Sequence, residues 1–224
     1  MRSFLKSLIR GLVEPVVLGL TLFLAAGTFN YWQAWVLLVV AALTTSIPTI
    51  YLMRTNPVTL QRRRHAGPTA ETRTVQKVLI TGWYSSLAAI FLVSAFDRRF
   101  GWSSVPTAIC LVGDVLVAVA FGLAMLVVIQ NSHAAATVRV EADQKVISTG
   151  LYGLVRHPMY TGNVIMMIGI PLALGSYWGL VFLIPGLAVL AVRIRDEERM
   201  LQEELDGYLE YTQKVRYRLV PCMW

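Results

Sequence analysis

Residues 150–162, which read GLYGLVRHPMYTG, place polar side chains of several kinds between long apolar runs. Pro158 disfavours helix at the residue before it and suits the first turn of a helix that follows. Arg156 and His157 are therefore predicted to lie just before a helix N-terminus, with Tyr160 in its first turn. Free backbone N–H groups at such an end favour an anion, so the stretch is suited to binding a charged ligand.

A second charged stretch, AVRIRDEERMLQEELDGYLEYTQKV, begins at residue 191. Arg193 and Glu197 are four residues apart and share one helix face. An apolar stripe continues beyond them, with acidic residues opposite, through Leu201, Leu205, Tyr208 and Leu209. This pattern predicts a helix that leaves a membrane and continues along its surface as an amphipathic segment.

The composition indicates where both stretches lie. Of the 224 residues, 56% are hydrophobic and 15% are charged, whereas soluble domains carry about 25% charged residues. Apolar runs of membrane length predict helical spans at about 12–29, 32–53, 78–96, 105–130, 158–174 and 178–194. The predicted fold class is an all-α polytopic integral membrane protein of about six transmembrane helices, with a C-terminal helical hairpin and a cytoplasmic amphipathic helix. Residues 1–77 are predicted to form a two-helix membrane unit with a basic loop, and residues 78–224 the core.

The distribution of basic residues predicts the orientation in the membrane. Every lysine and arginine except Arg98 and Arg99 lies before the first span, in the 54–77 or 131–157 loop, or from residue 193 onward. Both termini are therefore predicted to be cytoplasmic, in the plasma or inner membrane of a prokaryote or the endoplasmic reticulum of a eukaryote. The net charge of +7 then requires no nucleic-acid partner. The RRRH run at 62–65 is interpreted as an anchor for anionic lipid headgroups.

The uncharged sequence GSYWG at 175–179 predicts a tight turn between the last two spans. Because these spans then run antiparallel, the residues at their two cytoplasmic ends, which we call the feet, are expected to lie close together. Those residues are Arg156, His157 and Tyr160 at one foot, and Arg193 and Glu197 at the other. The sequence thus predicts a pocket with both charge signs, open to the cytosol and to lipid. Such a pocket suits a zwitterionic cofactor and an acceptor that is carried by a lipid.

Two segments carry a resemblance to a known family: STGLYGLVRHPMYTG, and RIRDEERMLQEELDGYLEYTQKVRYRLVP after the hairpin. Together they resemble the isoprenylcysteine carboxyl methyltransferases, membrane enzymes related to the phospholipid methyltransferases. The resemblance covers about residues 131–221. It implies an S-adenosylmethionine-dependent O-methyltransferase that methylates the carboxylate of a prenylcysteine-like, lipid-borne acceptor.

The resemblance also implies the roles of individual residues. S-adenosylmethionine is expected to contact Gln144, Lys145, Val146, Ile147, Tyr152, His157, Pro158, Met159, Tyr160 and Glu197. Arg193 is expected to bind the acceptor carboxylate. Arg156, Arg193 and Glu197 are the catalytic residues that the family pattern implies.

The mechanism that follows from this resemblance is a direct methyl transfer. A carboxylate acceptor is ionised at pH 7 and needs no general base, and Arg193 or Arg156 could hold it by a forked, charge-assisted pair. An amine acceptor must lose a proton, for which Glu197, Glu198 or His157 are available. The expected partners are a lipid or prenylated acceptor and membrane lipids. No metal is expected, because no metal-ligand spacing is present.

Three other functions stay open at this point. A phospholipid amine N-methyltransferase would use the same cofactor site. An NADPH-dependent membrane sterol-type reductase is a second enzyme class, because such reductases resemble this family in their C-terminal region. A transporter or membrane scaffold would distribute polar residues through several spans, whereas here they gather at one end.

Purely structural interpretations of the same residues are also open. Arg156 and His157 could anchor a helix end at the membrane interface, and Tyr152 and Tyr160 could belong to an aromatic belt. Asp114 lies inside the fourth span, where an ionisable group is costly and often functional. We favour a structural role for Asp114, paired with a polar side chain of a neighbouring helix.

Overall fold

The structure is a computed structural model that describes residues 15–64, 71, 73–131 and 144–224, without the side chains of residues 62–64. The described residues form helices and no strand. The α-helices are α1 (Pro15–Ala26), α2 (Trp32–Thr55), α3 (Pro57–Arg64), α4 (Thr74–Phe100), α5 (Thr107–Gln130), α6 (Pro158–Ala173), α7 (Leu183–Glu204) and α8 (Tyr208–Lys214). Two 3₁₀ helices lie at Gly150–Gly153 and Trp178–Phe182. The predicted all-α fold class is confirmed.

The apolar helices coincide with the predicted spans. Helices α2, α4, α5 and the continuous segment Trp178–Glu204 are long and apolar enough to cross a membrane, whereas α1 and α6 are shorter. Large apolar side chains such as Leu24 and Ile184 lie on the outside of the bundle. Apolar surface of this extent belongs in lipid rather than in water, so the chain is a polytopic membrane protein. The predicted start of the first span lies outside the described residues, as do the side chains of residues 62–64 and all of His65 in the predicted lipid anchor.

Close packing of α5 on α6 fixes the position of α6, the first helix of the C-terminal hairpin. A Cβ atom added to Gly113 of α5 would lie 2.2 Å from the Ala173 nitrogen and 2.8 Å from the Gly169 carbonyl oxygen. Small residues at a helix crossing let two backbones approach this closely. Core side chains from α1, α2, α4, α5, α6 and α7 join in one apolar cluster, so α6 is set firmly in the bundle.

The hairpin turn is held at the end of the bundle opposite Pro158 and Glu204, which we call the far end. The carboxylate of Asp97 accepts hydrogen bonds from the Ser103 backbone N–H (2.6 Å), the Ser103 hydroxyl (2.6 Å) and the Ser176 hydroxyl (2.5 Å). The Tyr31 hydroxyl donates to the Leu174 carbonyl (2.7 Å). These bonds tie the turn to α4 and to the start of α2. The predicted turn is confirmed, although α6 then packs mainly on α5 and α7 mainly on α4.

The predicted amphipathic continuation of the last span is interrupted. Helix α7 ends at Glu204, and Gly207 adopts a left-handed conformation with φ of 81° before α8 begins at Tyr208. Glycine adopts this conformation without the steric cost of a Cβ atom. Beyond the break, Tyr208 and Tyr211 are buried while Leu209 is 56% exposed. Leu209 therefore does not share a face with Tyr208, although the predicted apolar stripe requires this.

Two glycines of α5 provide a test of the α5–α6 contact. We expect Gly113→Ala to lower the free energy of unfolding by about 1–3 kcal/mol, because the new methyl group meets backbone atoms that cannot move aside. Gly122→Ala is the matched control, since nothing lies within 4 Å of the added Cβ, and alanine there stabilises the helix by up to about 1 kcal/mol. Thermal unfolding of the detergent-solubilised variants measures both. Equal midpoints for the two variants would contradict the packing described.

Candidate functional site

The feet of α6 and α7 meet, as the hairpin prediction requires. The Tyr160 hydroxyl donates a hydrogen bond to Glu197 Oε2 (2.6 Å) and accepts one from Arg193 Nε (3.0 Å). Helix α6 begins at Pro158, and His157 is its N-cap residue, as predicted. Tyr160 links a positive and a negative side chain inside the bundle, which disfavours its interpretation as an aromatic-belt residue.

Glu198 lies at the centre of a buried group of ionic contacts. Its Oε1 atom is 2.8 Å from a guanidinium nitrogen of Arg156 and 3.3 Å from His157 Nε2. Its Oε2 atom accepts a hydrogen bond from Arg218 Nε (2.8 Å). The side chains of Arg156, His157 and Glu198 are all less than 10% exposed. Arg156 and His157 are thus buried and paired, which does not fit simple anchors at a membrane surface.

The chain after α8 supports the turn before α6 from the other side. The backbone N–H of Arg156 donates to the Tyr217 carbonyl, and that of His157 donates to the Arg218 carbonyl, each at 2.9 Å. The Thr161 hydroxyl donates to the Leu219 carbonyl (2.8 Å). The segment after α8 therefore fixes the backbones of Arg156 and His157, and Glu198 of α7 contacts both side chains. The Arg156 guanidinium also donates to the Arg216 carbonyl (3.0 Å).

A further acid reaches the site from the segment before α4. Glu71 is 3% exposed, and its Oε1 atom lies 3.2 Å from a terminal nitrogen of the buried Arg193. Beside it, Asp196 of α7 accepts hydrogen bonds from Arg73 (2.9 Å) and from the Gln76 amide (2.5 Å). These bonds hold the start of α4 against α7 and keep Glu71 over the guanidinium.

Tyrosines surround the other side of the feet. The Asn131 amide donates to the Tyr152 hydroxyl (3.1 Å), and the Tyr211 hydroxyl donates to the Tyr152 carbonyl (2.7 Å). Burial raises the pKa of Tyr152 above its ordinary value, and the charge of Glu197 raises it further. Tyr152 is consequently neutral at physiological pH, and its hydroxyl is available as a hydrogen-bond donor.

Tyr208 has a buried hydroxyl that lacks a hydrogen-bond partner among the described residues. Burial raises the pKa of this hydroxyl well above its ordinary value, and the negative charges of Glu198 and Glu197 add to the effect. The hydroxyl is therefore neutral and lies close to the ionic groups of the feet. Arg156 Nε is a second buried polar atom without a partner in the described part of the chain. Such atoms carry a desolvation cost that a bound ligand can offset.

The remaining residues implied by the resemblance take several environments. Val146 packs against the apolar cluster of Leu205, Tyr208, Tyr211 and Val215. Pro158 is buried, Gln144, Ile147 and Met159 are half-buried, and the Lys145 side chain is exposed. Residues 144–148 run without helix beside the feet, and residues 132–143 of the predicted cofactor region lie outside the described structure.

A shallow groove of about 280 Å³ lies next to the site rather than at it. Its lining combines two exposed basic side chains with apolar and backbone surface. The residues are Gly153, Leu154, Lys214, Val215, Arg216, Tyr217 and Pro221. None of the predicted site residues lines this groove.

Asp114 does not have the partner that we expected. It is buried within α5, and neither carboxylate oxygen has a hydrogen-bond partner among the described residues. The predicted pairing with a polar side chain of a neighbouring helix is therefore wrong for this part of the chain. Asp114 lies in the half of α5 nearer the far end and takes no part in the contacts of the feet.

Three members of the site were not identified from the sequence. Glu71 stands in a polar loop with no local pattern, and Arg218 lies beyond the last helix. Both reach the site through long-range contacts that spacing along the chain does not reveal. Tyr208 was assigned to an apolar stripe. Its three-residue spacing from Tyr211 was the available signal, since residues at that spacing share a helix face.

The two adjacent glutamates are expected to differ in their contribution to stability. Glu198→Ala leaves the buried guanidinium of Arg156 and the partly exposed one of Arg218 without their carboxylate, and we expect it to lower the free energy of unfolding by about 3–5 kcal/mol. Glu197→Gln keeps an oxygen that can accept from Tyr160, and we expect a loss of less than about 1.5 kcal/mol. Thermal unfolding in detergent compares them. A larger loss for Glu197→Gln would contradict the central place given to Glu198.

Comparisons with known proteins agree with this location of the site. Residues 108–206 match the family model described as phospholipid methyltransferase. A segment of 91 residues, 39% of this chain, is 30% identical to Delta(14)-sterol reductase TM7SF2 of Mus musculus, and the match covers 22% of that protein's length. The family match does not single out the isoprenylcysteine enzymes. The matched segment includes nearly all of α5, all of α6 and α7, and Arg156, Tyr160, Arg193, Glu197 and Glu198 at the two feet.

Proposed function

We propose that this protein is an S-adenosylmethionine-dependent methyltransferase that methylates the carboxylate of a lipid-borne, prenylcysteine-like acceptor. The observation that carries the proposal is the Tyr160–Glu197–Arg193 group, with Arg156 beside it, at the feet of two apolar helices. It lies in the segment that matches a methyltransferase family. The distribution of basic residues supports a site that faces the cytoplasm.

The residues present fit the charge pattern of S-adenosylmethionine. Its ammonium and sulfonium groups are cationic, and Glu197 is a half-buried carboxylate that accepts a hydrogen bond from the neutral Tyr160. Its carboxylate is anionic, and the unpartnered Nε of Arg156 and hydroxyl of Tyr208 are buried donors. Residues 144–147, Tyr152 and the His157–Tyr160 turn would line the rest of the cofactor site.

When bound, S-adenosylmethionine supplies an electrophilic methyl carbon, so the protein's main task is to align the acceptor. Arg193 would hold an acceptor carboxylate by charge-assisted hydrogen bonds, and Tyr160 fixes the position of its Nε atom. A carboxylate is already ionised, so no residue needs to remove a proton. Glu198 acts as a positioning residue, because it holds Arg156 and Arg218.

An amine acceptor is the second candidate, and the phospholipid methyltransferase match favours it. The nitrogen must then lose a proton. Both oxygens of Glu198 are held by guanidinium groups, which lowers their basicity and blocks access to them. Glu197 is therefore the better placed base for this reaction. A reductase is the third candidate, and it rests on the similarity to the sterol reductase alone.

Transfer of a labelled methyl group distinguishes the two acceptors. We expect the purified protein to transfer label from S-adenosylmethionine to a prenyl thioether carboxylate, and the product to release its label as methanol in base, as a methyl ester does. A base-stable product formed only with an aminophospholipid would assign the amine reaction instead. No transfer to either acceptor would contradict the proposed function.

The role of Arg193 is tested with its neighbour as control. We expect Arg193→Ala to reduce carboxylate methylation by about 100-fold or more, because a misplaced acceptor loses its alignment. Arg195→Ala removes an exposed arginine of the same helix and should leave the rate unchanged. Arg193→Lys keeps the positive charge but loses the forked guanidinium, so its methylation rate should lie between those of Arg193→Ala and Arg195→Ala. Unchanged turnover in Arg193→Ala, with S-adenosylhomocysteine still bound, would overturn the assignment.

Tyr208 and Tyr211 form a second matched pair. We expect Tyr208→Phe to weaken S-adenosylhomocysteine binding by about 5- to 10-fold without lowering thermal stability, because its hydroxyl has no partner among the described residues to lose. Tyr211→Phe removes a hydroxyl that donates to Tyr152, so it should lower stability. Calorimetric binding and thermal unfolding of both variants provide the measurements. Full affinity in Tyr208→Phe would exclude its hydroxyl from the cofactor site.

A further inference from the structure

Glu71 brings to the site a charge that the matched methyltransferase segment does not contain, because it lies outside residues 108–206. Both members of the Glu71–Arg193 pair are nearly inaccessible, with exposed fractions of 3% and 5%. Their charged atoms lie 3.2 Å apart. A carboxylate thus already lies on the guanidinium that the proposed function gives to the acceptor.

The position of Glu71 is enforced by its surroundings. Two residues later, Arg73 bonds one oxygen of Asp196, and Gln76 bonds the other. Gln76 is fully buried in the first turn of α4. Asp196 belongs to α7 and lies one turn beyond Arg193. Helix α7 thus supplies Asp196 to the anchor and Arg193 to the ion pair, and the partners of both lie at or just before the start of α4. The way α4 begins therefore directs Glu71 onto Arg193.

We propose that Glu71 determines the acceptor specificity of this site. This inference rests on the proposed function, in which Arg193 faces the acceptor's polar group. An anionic acceptor must compete with the Glu71 carboxylate for the same guanidinium. A cationic acceptor is attracted by Glu71 and by the nearby Glu197, because opposite charges interact strongly in a poorly solvated site. Glu71 consequently weakens carboxylate binding and strengthens amine binding.

The test measures binding without turnover. Two probes share one prenyl thioether and differ in their polar end, a carboxylate in one and a primary amine in the other. Equilibrium binding of each to the full chain in detergent gives the ratio of their affinities. We expect Glu71→Gln to shift this ratio toward the carboxylate by about tenfold or more, the effect of one charge-assisted contact. Glu203→Gln makes the same change in net charge at an exposed position of α7 and should leave the ratio unchanged.

The outcomes separate this inference from the proposed function. A ratio that is equal in Glu71→Gln and the wild type, or shifted toward the amine, overturns the role of Glu71. Failure of the wild type to bind S-adenosylhomocysteine overturns the proposed function but leaves the probe ratio as a valid measure of Glu71. If Glu71→Gln does not fold, Asp196→Asn replaces it, because it weakens the anchor that holds Glu71 in place. It must shift the ratio in the same direction.

Discussion

The carboxylate of Glu198 is the interaction on which the candidate site depends. It joins the turn before α6, through Arg156 and His157, to α7 and to the segment that contains Arg218. Charges buried to this degree are tolerated only when they are paired. The pairing with Glu198 therefore favours this arrangement of the three parts of the chain. Once Glu198 is paired in this way, the preceding residue, Glu197, is directed to Tyr160 of α6.

The rest of the bundle keeps the two feet in register. At the far end, Asp97 ties the hairpin turn to the start of the α4–α5 connection. In the middle, Gly113 and Gly169 let α5 and α6 pack backbone to backbone. Neither feature takes part in the proposed chemistry. They make the separation of α6 and α7 at the site a consequence of helix packing, which positions side chains more firmly than a loop does.

Local patterns predicted much of this arrangement. Apolar runs predicted the helices, Pro158 predicted the start of α6, and the short uncharged turn predicted that Tyr160 would meet Glu197. The contribution of Glu71 could not be predicted, because it depends on how α4 begins against α7. The break at Gly207 was also not predicted, and beyond it Leu209 does not share the buried face of Tyr208. The spacing of apolar residues predicts which side chains share a face within one helix, but it does not predict this across a break between two helices.

The central claim is that the feet of α6 and α7 bind a methyl donor, and ligand choice tests it most directly. Calorimetry on the detergent-solubilised protein measures the binding of S-adenosylhomocysteine and of NADPH. The same measurements are made on the His157→Ala and Glu197→Ala variants. The predicted result is that S-adenosylhomocysteine binds, NADPH does not, and both variants lose affinity for the first ligand. Binding of NADPH alone would contradict the claim and assign the site to the reductase chemistry of the similar sterol reductase.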